Sequence, residues 1–430
     1  MPTGYAFGRH GRIALMRTPT EALDALRALP CGARLLDVLA RHPGSWVVGG
    51  AVRDALLGRP LSELDVVVEG DPEPVALGLG EVVAFHERFG TYDVVGADSV
   101  GGRDCFYDVV TARAERYAAP GALPDVRAGD LEDDLLRRDF TVNALALNAA
   151  GEMAAAPAAL EDLAAGRLRV MHAASFRDDP TRLWRLVRYA VRLGFTPEPA
   201  TDRLAFEAVQ RGALETVSGD RLGAELRLAL IEPDPLAALH AAQNLGLVEG
   251  LTLDPELVAR ALMLLPPAPR PVRGLLGGAD TPDAAPRAVA TSVVAPRPDL
   301  TILGAVIPHG AWARPFGFTA IEQRILERCA TLEPIVAARP SEVVAALRGE
   351  PVEAVAVAGA RGDADIAARF LREWRHVVLE IDGRDLIAAG LVEGPELGAR
   401  LASVLAQRLD GELALGRDAE LAAALAEPRA

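Results

Sequence analysis

The chain contains no lysine; all 45 of its basic residues are arginine. Whatever phosphate or base it holds through a cation, it must hold with a guanidinium. Cysteine is almost as scarce. Cys31, Cys105 and Cys329 lie far apart and are odd in number, which excludes a disulfide framework and a zinc-ligand spacing. The seven histidines are scattered, with no HExxH and no His-Asp pair. No uninterrupted apolar run approaches the roughly 20 residues a membrane span needs. Met1 to Thr20 carries Arg9, Arg12 and Arg17 but no apolar core of a secretory signal. These absences lead us to expect a reduced, cytoplasmic protein with no membrane association, and no protein partner is inferred.

What is present is an ordinary globular composition, half hydrophobic and 24% charged, over 430 residues. At roughly 100–200 residues per domain, that length divides into about three domains. The net charge of −15 looks wrong for a nucleic-acid binder. Phosphate contacts need only a local basic surface, however. Between Arg167 and Arg227, eleven arginines stand against eight acids, a local excess of +3. A polyanion would be sought there first.

After a helical stretch from Thr20 to Arg41, short β-rich runs alternate with helices up to about Asn148. Ser45–Val48, Leu64–Val68, Glu81–Phe85 and Phe106–Val110 read as strands, each apolar and bounded by Gly, Pro or charge. From Leu160 to Gly250 the spacing is helical. A Pro/Gly-rich zone from Leu265 to Pro298 reads as a linker or irregular surface segment, and the remainder is mostly helical.

Ser45 to Gly58 reads strand, glycine turn, helix, with Gly49 and Gly50 in the turn and Arg53 on the helix. Bare N–H groups at a helix N-terminus make a natural phosphate cradle. Glu63-Leu64-Asp65 opens the next strand, where period-2 alternation puts both carboxylates on one face. Taken alone, this pair reads as incidental acids on a solvent-facing edge strand. As a pair of hard oxygen ligands it suits Mg²⁺, which also holds substrate phosphates. Asp108, in an otherwise apolar strand, is either a third acid for that site or a buried partner for Arg103 or Arg113.

Gly-Gly, a helix, then [DE]-x-[DE] on a strand resembles the polymerase-β-type nucleotidyltransferase head. Arg137-Arg138-Asp139-Phe140-Thr141-Val142-Asn143-Ala144 resembles the second signature of the class II tRNA nucleotidyltransferase and poly(A) polymerase family over its full length. The family usually has Asp-x-Asp where this chain has Glu63 and Asp65. The resemblance implies that Glu63 and Asp65 are catalytic and hold Mg²⁺, with Asp108 the candidate for a third catalytic acid. It further implies that Gly49, Gly50, Arg53, Arg138, Asp139 and Asn143 bind triphosphate and ribose. Between the signatures, Ala112 to Asp134 is similar to the family's flexible loop at full length.

Asp178-Asp179-Pro180-Thr181-Arg182 begins a helix, with Asp179 a natural N-cap and Pro180 a natural first residue. Arg182, Arg185, Arg188 and Arg192 fall in one arc of roughly 120°, opposite Leu183, Leu186, Val187, Ala190 and Val191. Four like charges on one face repel unless an anion neutralises them. The spacing resembles the family's base-reading EDxxR motif. By that resemblance Asp179 and Arg182 pair with the Watson–Crick edge of CTP or ATP, both of which present an amine, while Arg185 and Arg188 steady phosphate or the neck. Asp220 to Leu226 and the segment from Asp382 to Glu412 are similar to the family's later helical and tail motifs.

The expected architecture is an α/β head of the polymerase-β-type nucleotidyltransferase fold (residues 1–148). An all-helical neck (149–235), body (236–345) and tail (346–430) follow. The expected activity is template-independent addition of the 3′ CCA of tRNA from CTP and ATP. A-only or CC-only addition are the nearest rivals, and the full-length loop argues against the latter. A poly(A) polymerase would want a GRRFRL-type segment that is absent here. An RNA-binding protein with a silent head is the rival from another class.

Overall fold

The computed structural model describes residues 16–61, 64–87, 90–96, 105–267 and 295–426. Contacts divide the chain into two units, Met1–Glu249 and Gly250–Ala430.

The first unit opens with helices α1 (Pro19–Arg27) and α2 (Gly32–Leu39). Thr18 and Glu21 cap α1 reciprocally, each side chain accepting from the other's backbone N–H. Then come β1 (Ser45–Val48), α3 (Gly50–Leu57), β2 (Asp65–Val68), α4 (Glu73–Leu79), β3 (Gly80–His86), β4 (Thr91–Gly96) and β5 (Cys105–Thr111). A hairpin of β6 (Arg113–Arg116) and β7 (Asp125–Ala128) leads to α5 (Leu131–Leu136), β8 (Leu145–Leu147), β9 (Met153–Ala155) and α6 (Ala159–Ala165). The rest is helical apart from the two-residue strands β10 (Arg167–Leu168) and β11 (Thr196–Pro197). Its helices are α7 (Ser175–Asp178), α8 (Arg182–Leu193), α9 (Pro199–Gln210), α10 (Gly219–Leu230) and α11 (Pro235–Leu245).

Seven strands form one mixed sheet in the order β3-β4-β5-β2-β1-β8-β9. Only β2 and β5 run parallel within it, and Asp65 stands directly opposite Asp108. The four strands expected from sequence are β1, β2, β3 and β5. Strand β4 escaped notice because Thr91 and Asp93 interrupt its apolar character; its pairing with both β3 and β5 makes it a strand. Val48, Val67, Leu131, Leu135, Ala144 and Ala146 form a buried cluster that joins β1, β2 and β8 to α5.

One expectation is corrected here. Cys31 and Cys105 form a disulfide across 74 residues, with Cα atoms 5.9 Å apart, tying the α1–α2 turn to β5. Sequence spacing could not show this, because folding brings the two together. The stretch read as a flexible loop contains the β6–β7 hairpin, and its tip sits on the neck. Gly121 N–H donates to the Arg177 carbonyl (3.2 Å), and its own carbonyl accepts from Arg221 Nη1 (2.7 Å).

Helix α8 buries Leu183, Trp184, Leu186 and Val187. Helix α11 packs on α8 and α10, and the first unit runs to Glu249.

The second unit holds α12 (Pro255–Leu264), α13 (Pro298–Val306), α14 (Ala320–Thr331), α15 (Pro340–Leu347), α16 (Val352–Arg361) and α17 (Ala364–Arg372). Helices α18 (Gly383–Ala388), α19 (Pro395–Leu409) and α20 (Arg417–Leu425) complete it. Helix α16 is buried from Glu353 to Ala360 and packs against α12, α13, α14 and α17. A separate cluster of Ile381, Leu386, Leu397, Val404 and Ala424 joins α18, α19 and α20.

Candidate functional site

The turn between β1 and α3 depends on glycine. Gly49 sits at φ +68°, ψ −128°, a conformation that side-chain-bearing residues rarely adopt. A Cβ there would lie 2.8 Å from Arg138 Nη1 and 3.8 Å from Asp65 Oδ2. Bare backbone therefore lets the turn, the acid of β2 and an arginine of the second signature approach one another. Gly50 starts α3, which buries Arg53. That guanidinium donates to Asn143 Oδ1 (2.5 Å) and, through Nε and Nη2, to Asp54 (2.9 and 2.8 Å).

Asp65 is half-buried and lines the same cleft; Asp108 is exposed one strand away and is outside the lining. Parallel strands lie roughly 4.8 Å apart, so two carboxylates in register on one face suit a hard divalent cation completed by water and substrate phosphate. Among the described residues, no group of three or more acids, histidines or cysteines gathers as a metal site. Glu63 and Arg103 lie outside the described residues. Asp108 is exposed, not buried, and Arg113 bonds Glu115.

Asp134 organises the second signature. It is fully buried at the end of α5, accepting from Arg137 Nε and Nη2 (2.8 and 2.6 Å) and from Arg138 Nη2 (2.8 Å). Burial pushes its carboxyl up, but Arg138 and Arg137 outweigh that and hold it below the ordinary range. Arg138 Nε, also buried, has no acceptor among the described residues. Asp139 is buried too. Its Oδ1 accepts from Phe140 N–H (2.7 Å) and Asn143 Nδ2 (2.9 Å), and its Oδ2 faces Arg185 Nε at 2.8 Å. Desolvation alone would raise this carboxyl; Arg185, Asn143, Arg182 and the Phe140 amide together lower it. Arg185 is correspondingly raised well above its ordinary value, chiefly by Asp139.

Helix α8 brings the other half of the site. Asp179 Oδ1 accepts from Thr181 N–H (3.1 Å), Thr181 Oγ1 (2.7 Å) and Arg221 Nη2 (2.8 Å). Regular α-helix begins only at Arg182, so Asp179 caps a tight entering turn. No donor among the described residues reaches its Oδ2. Arg182 is buried and gives its N–H groups to neutral oxygens: Ser175 Oγ (2.6 Å), the Arg137 carbonyl (2.9 Å) and, at 3.5 Å, the Tyr117 hydroxyl. The repulsion expected along the arginine face is relieved by protein carboxylates. Arg188 binds Glu225 (2.7 Å) and Glu232 (3.0 Å), and Arg192 binds Glu232 (2.5 Å). Arg188 is thus buried in the neck outside the cleft. It does not join the residues with which the sequence grouped it.

The cleft measures 410 Å³ and gathers Gly49, Gly50, Arg53, Asp65, Arg138, Asp139, Asn143, Asp179, Arg182 and Arg185. Seven arginines line it against four carboxylates, a positive surface for a polyphosphate. Burial, and then Arg137, depress Arg113 below its ordinary value even with Glu115 beside it. Three contributors went unnoticed in the sequence. Glu115 accepts from Arg113, Arg137 and the Tyr117 hydroxyl. Burial pushes Tyr117 up to about 12, so it stays a neutral phenol beside Arg182. Tyr189 is surrounded by Arg53, Arg185 and Arg192 at 5.6–6.0 Å from its ring centre. Its place four residues after Arg185 was the one available signal; Glu115 and Tyr117 carried none.

Residues 45–169 match the Poly A polymerase head domain. An A-adding tRNA nucleotidyltransferase of Geobacter sulfurreducens is 34% identical over 409 residues, covering 87% of this chain and 44% of that protein. A CC-adding tRNA nucleotidyltransferase of Deinococcus radiodurans is 36% identical over 253 residues, covering 55% of this chain and 65% of that protein. The chain therefore spans less than two thirds of either relative's own length. A solved CCA-adding enzyme in its apo form shares the fold at TM-score 0.70, with 24% identity over 95% of this chain and 98% of that one.

Proposed function

We propose that this chain is a member of the class II tRNA nucleotidyltransferase and poly(A) polymerase family, and that it extends the 3′ end of tRNA without a nucleic-acid template, building the terminal CCA from CTP and ATP. One observation carries this reading: a single 410 Å³ cleft holds the phosphate-side residues of the head and the Asp179–Arg182 pair of α8 together. That volume suits one nucleotide.

The incoming base lies against Asp179 Oδ2, which accepts from an exocyclic amine, and Arg182, which donates to a ring nitrogen or carbonyl. Asp179 keeps its orientation because Thr181 and Arg221 bind its other oxygen. Arg53 and Arg138 face the triphosphate beside the Gly49–Gly50 turn, and Asp139 and Asn143 brace this wall from behind. The tRNA 3′-hydroxyl attacks the α-phosphorus. A new P–O bond forms as the hydroxyl gives up its proton to water, the bond to the β-phosphate breaks, and pyrophosphate leaves with the electron pair. Asp65, with Glu63 and Asp108, would hold Mg²⁺, which neutralises charge on the phosphates and makes the hydroxyl a better nucleophile.

A second reading is A-only addition, favoured because the Geobacter relative aligned over 87% of this chain is A-adding. Purified protein incubated with tRNAs ending before CCA, after C and after CC, with each nucleotide alone and with CTP and ATP together, tests both. Three-residue extension supports the first reading, and extension of the CC-ended tRNA alone supports the second. No extension of any substrate refutes both.

A further inference from the structure

The β6–β7 hairpin has a second side. Its register pairs Ala114 with Arg127 and Arg116 with Asp125. Strand alternation then sends Arg113 toward the main cleft and Ala114, Arg116 and Arg127 to the opposite face. A second cleft of 420 Å³ opens there, between the hairpin, the end of α5 and α7. It shares a wall with the first: Glu115, Tyr117, Arg137 and Arg182 line both.

Five arginines line this second cleft against three carboxylates. Arg137 is bound to Asp134 and Glu115, and Arg177 leans on Asp178 at 3.2 Å. The side chains of Arg116 and Arg127 are exposed and make no ion pair or hydrogen bond with any described residue, although Asp125 stands opposite Arg116 on the same face. His172, at the rim, reports the local potential. Its imidazole is held below the ordinary value first by burial and then by Arg182, with Arg177 adding to this and Asp178 opposing it. Uncompensated guanidiniums around a concave, half-open space are the arrangement that binds tetrahedral oxyanions, each fork donating two N–H bonds.

We propose that this second cleft is a phosphate-binding subsite, in which Arg116, Arg127 and Arg177 take phosphate groups on the far side of the wall that carries Arg182. It rests on the reading above only for the phosphates at hand: the backbone of the RNA substrate, or pyrophosphate.

The test measures binding by the full-length chain and needs no turnover, so a failure of the catalytic reading leaves it intact. Affinity for tRNA lacking CCA is measured by fluorescence anisotropy over a range of salt, and inorganic pyrophosphate is titrated calorimetrically. An Arg116→Ala/Arg127→Ala double variant is compared with Arg116→Lys/Arg127→Lys, melting temperature serving as the folding control. For RNA phosphates, the alanine variant binds tRNA about tenfold more weakly and its log K against log salt slope falls by about 1–2, which the lysine variant restores. For free pyrophosphate, the alanine variant loses one bound pyrophosphate while tRNA affinity holds. If neither titration changes, the proposal is overturned.

Discussion

Replacing Asp179 by asparagine separates base recognition from local structure. Thr181 N–H and Arg221 Nη2 can only donate, and both point at Oδ1. In Asp179→Asn the amide oxygen must therefore stay where Oδ1 is, and the amide NH₂ must occupy the Oδ2 position. An acceptor facing the base becomes a donor. Cytosine and adenine present an amine there, whereas uracil and guanine present a carbonyl oxygen. A good base contact is worth roughly 1–3 kcal/mol, about 5- to 150-fold. The variant should lose at least about tenfold in kcat/KM for CTP and ATP and gain relative preference for UTP and GTP. Stability should change little, because Asn and Asp cap helix entries about equally well. The assay is single-nucleotide incorporation with each of the four triphosphates, beside a thermal melt. Equal incorporation ratios in wild type and variant, at an unchanged melting temperature, would refute base reading by Asp179 and leave it a capping residue.

Three further outcomes follow from the same geometry. Gly49→Ala forces an unfavourable backbone conformation, costing roughly 1–3 kcal/mol, and places a methyl against Arg138; a lowered melting temperature should accompany a fall of about tenfold or more in nucleotide addition, and wild-type kinetics would count against the close approach. Asp65→Asn should abolish addition while tRNA affinity stays near wild type, and retained turnover in Mg²⁺ would show the acid to be misassigned. Asp134 is buried with a folded pKa below its ordinary 3.8, so the stability it adds is present above that value and is lost as pH falls through the lower, folded value. Asp134→Ala should cost roughly 3–5 kcal/mol near neutral pH, and its melting-temperature deficit should shrink on approaching pH 3; a deficit independent of pH would mean that packing, not charge, is what Asp134 supplies.

Local rules were enough for much of this protein. A glycine turn between strand and helix, an acid opening the next strand, the arginine pair before Asp139, and an acid-proline entry to an amphipathic helix are all written in consecutive residues, since each depends on backbone periodicity and capping within one or two turns. What the arginines do was not legible there. Arg182, Arg185, Arg188 and Arg192 are equivalent by helical spacing, yet Glu225 and Glu232 draw Arg188 into the neck while Arg182 gives its N–H groups to neutral oxygens in the cleft. A guanidinium's role is decided by which carboxylates long-range folding puts beside it, and burial fixes how strongly they compete with a ligand. The same holds for Asp134 beneath the two signature arginines, for Cys31 and Cys105 meeting across 74 residues, and for the hairpin that places Glu115 and Tyr117 between two clefts. Periodicity within one element specifies which face a side chain occupies; only packing between elements decides what that face meets.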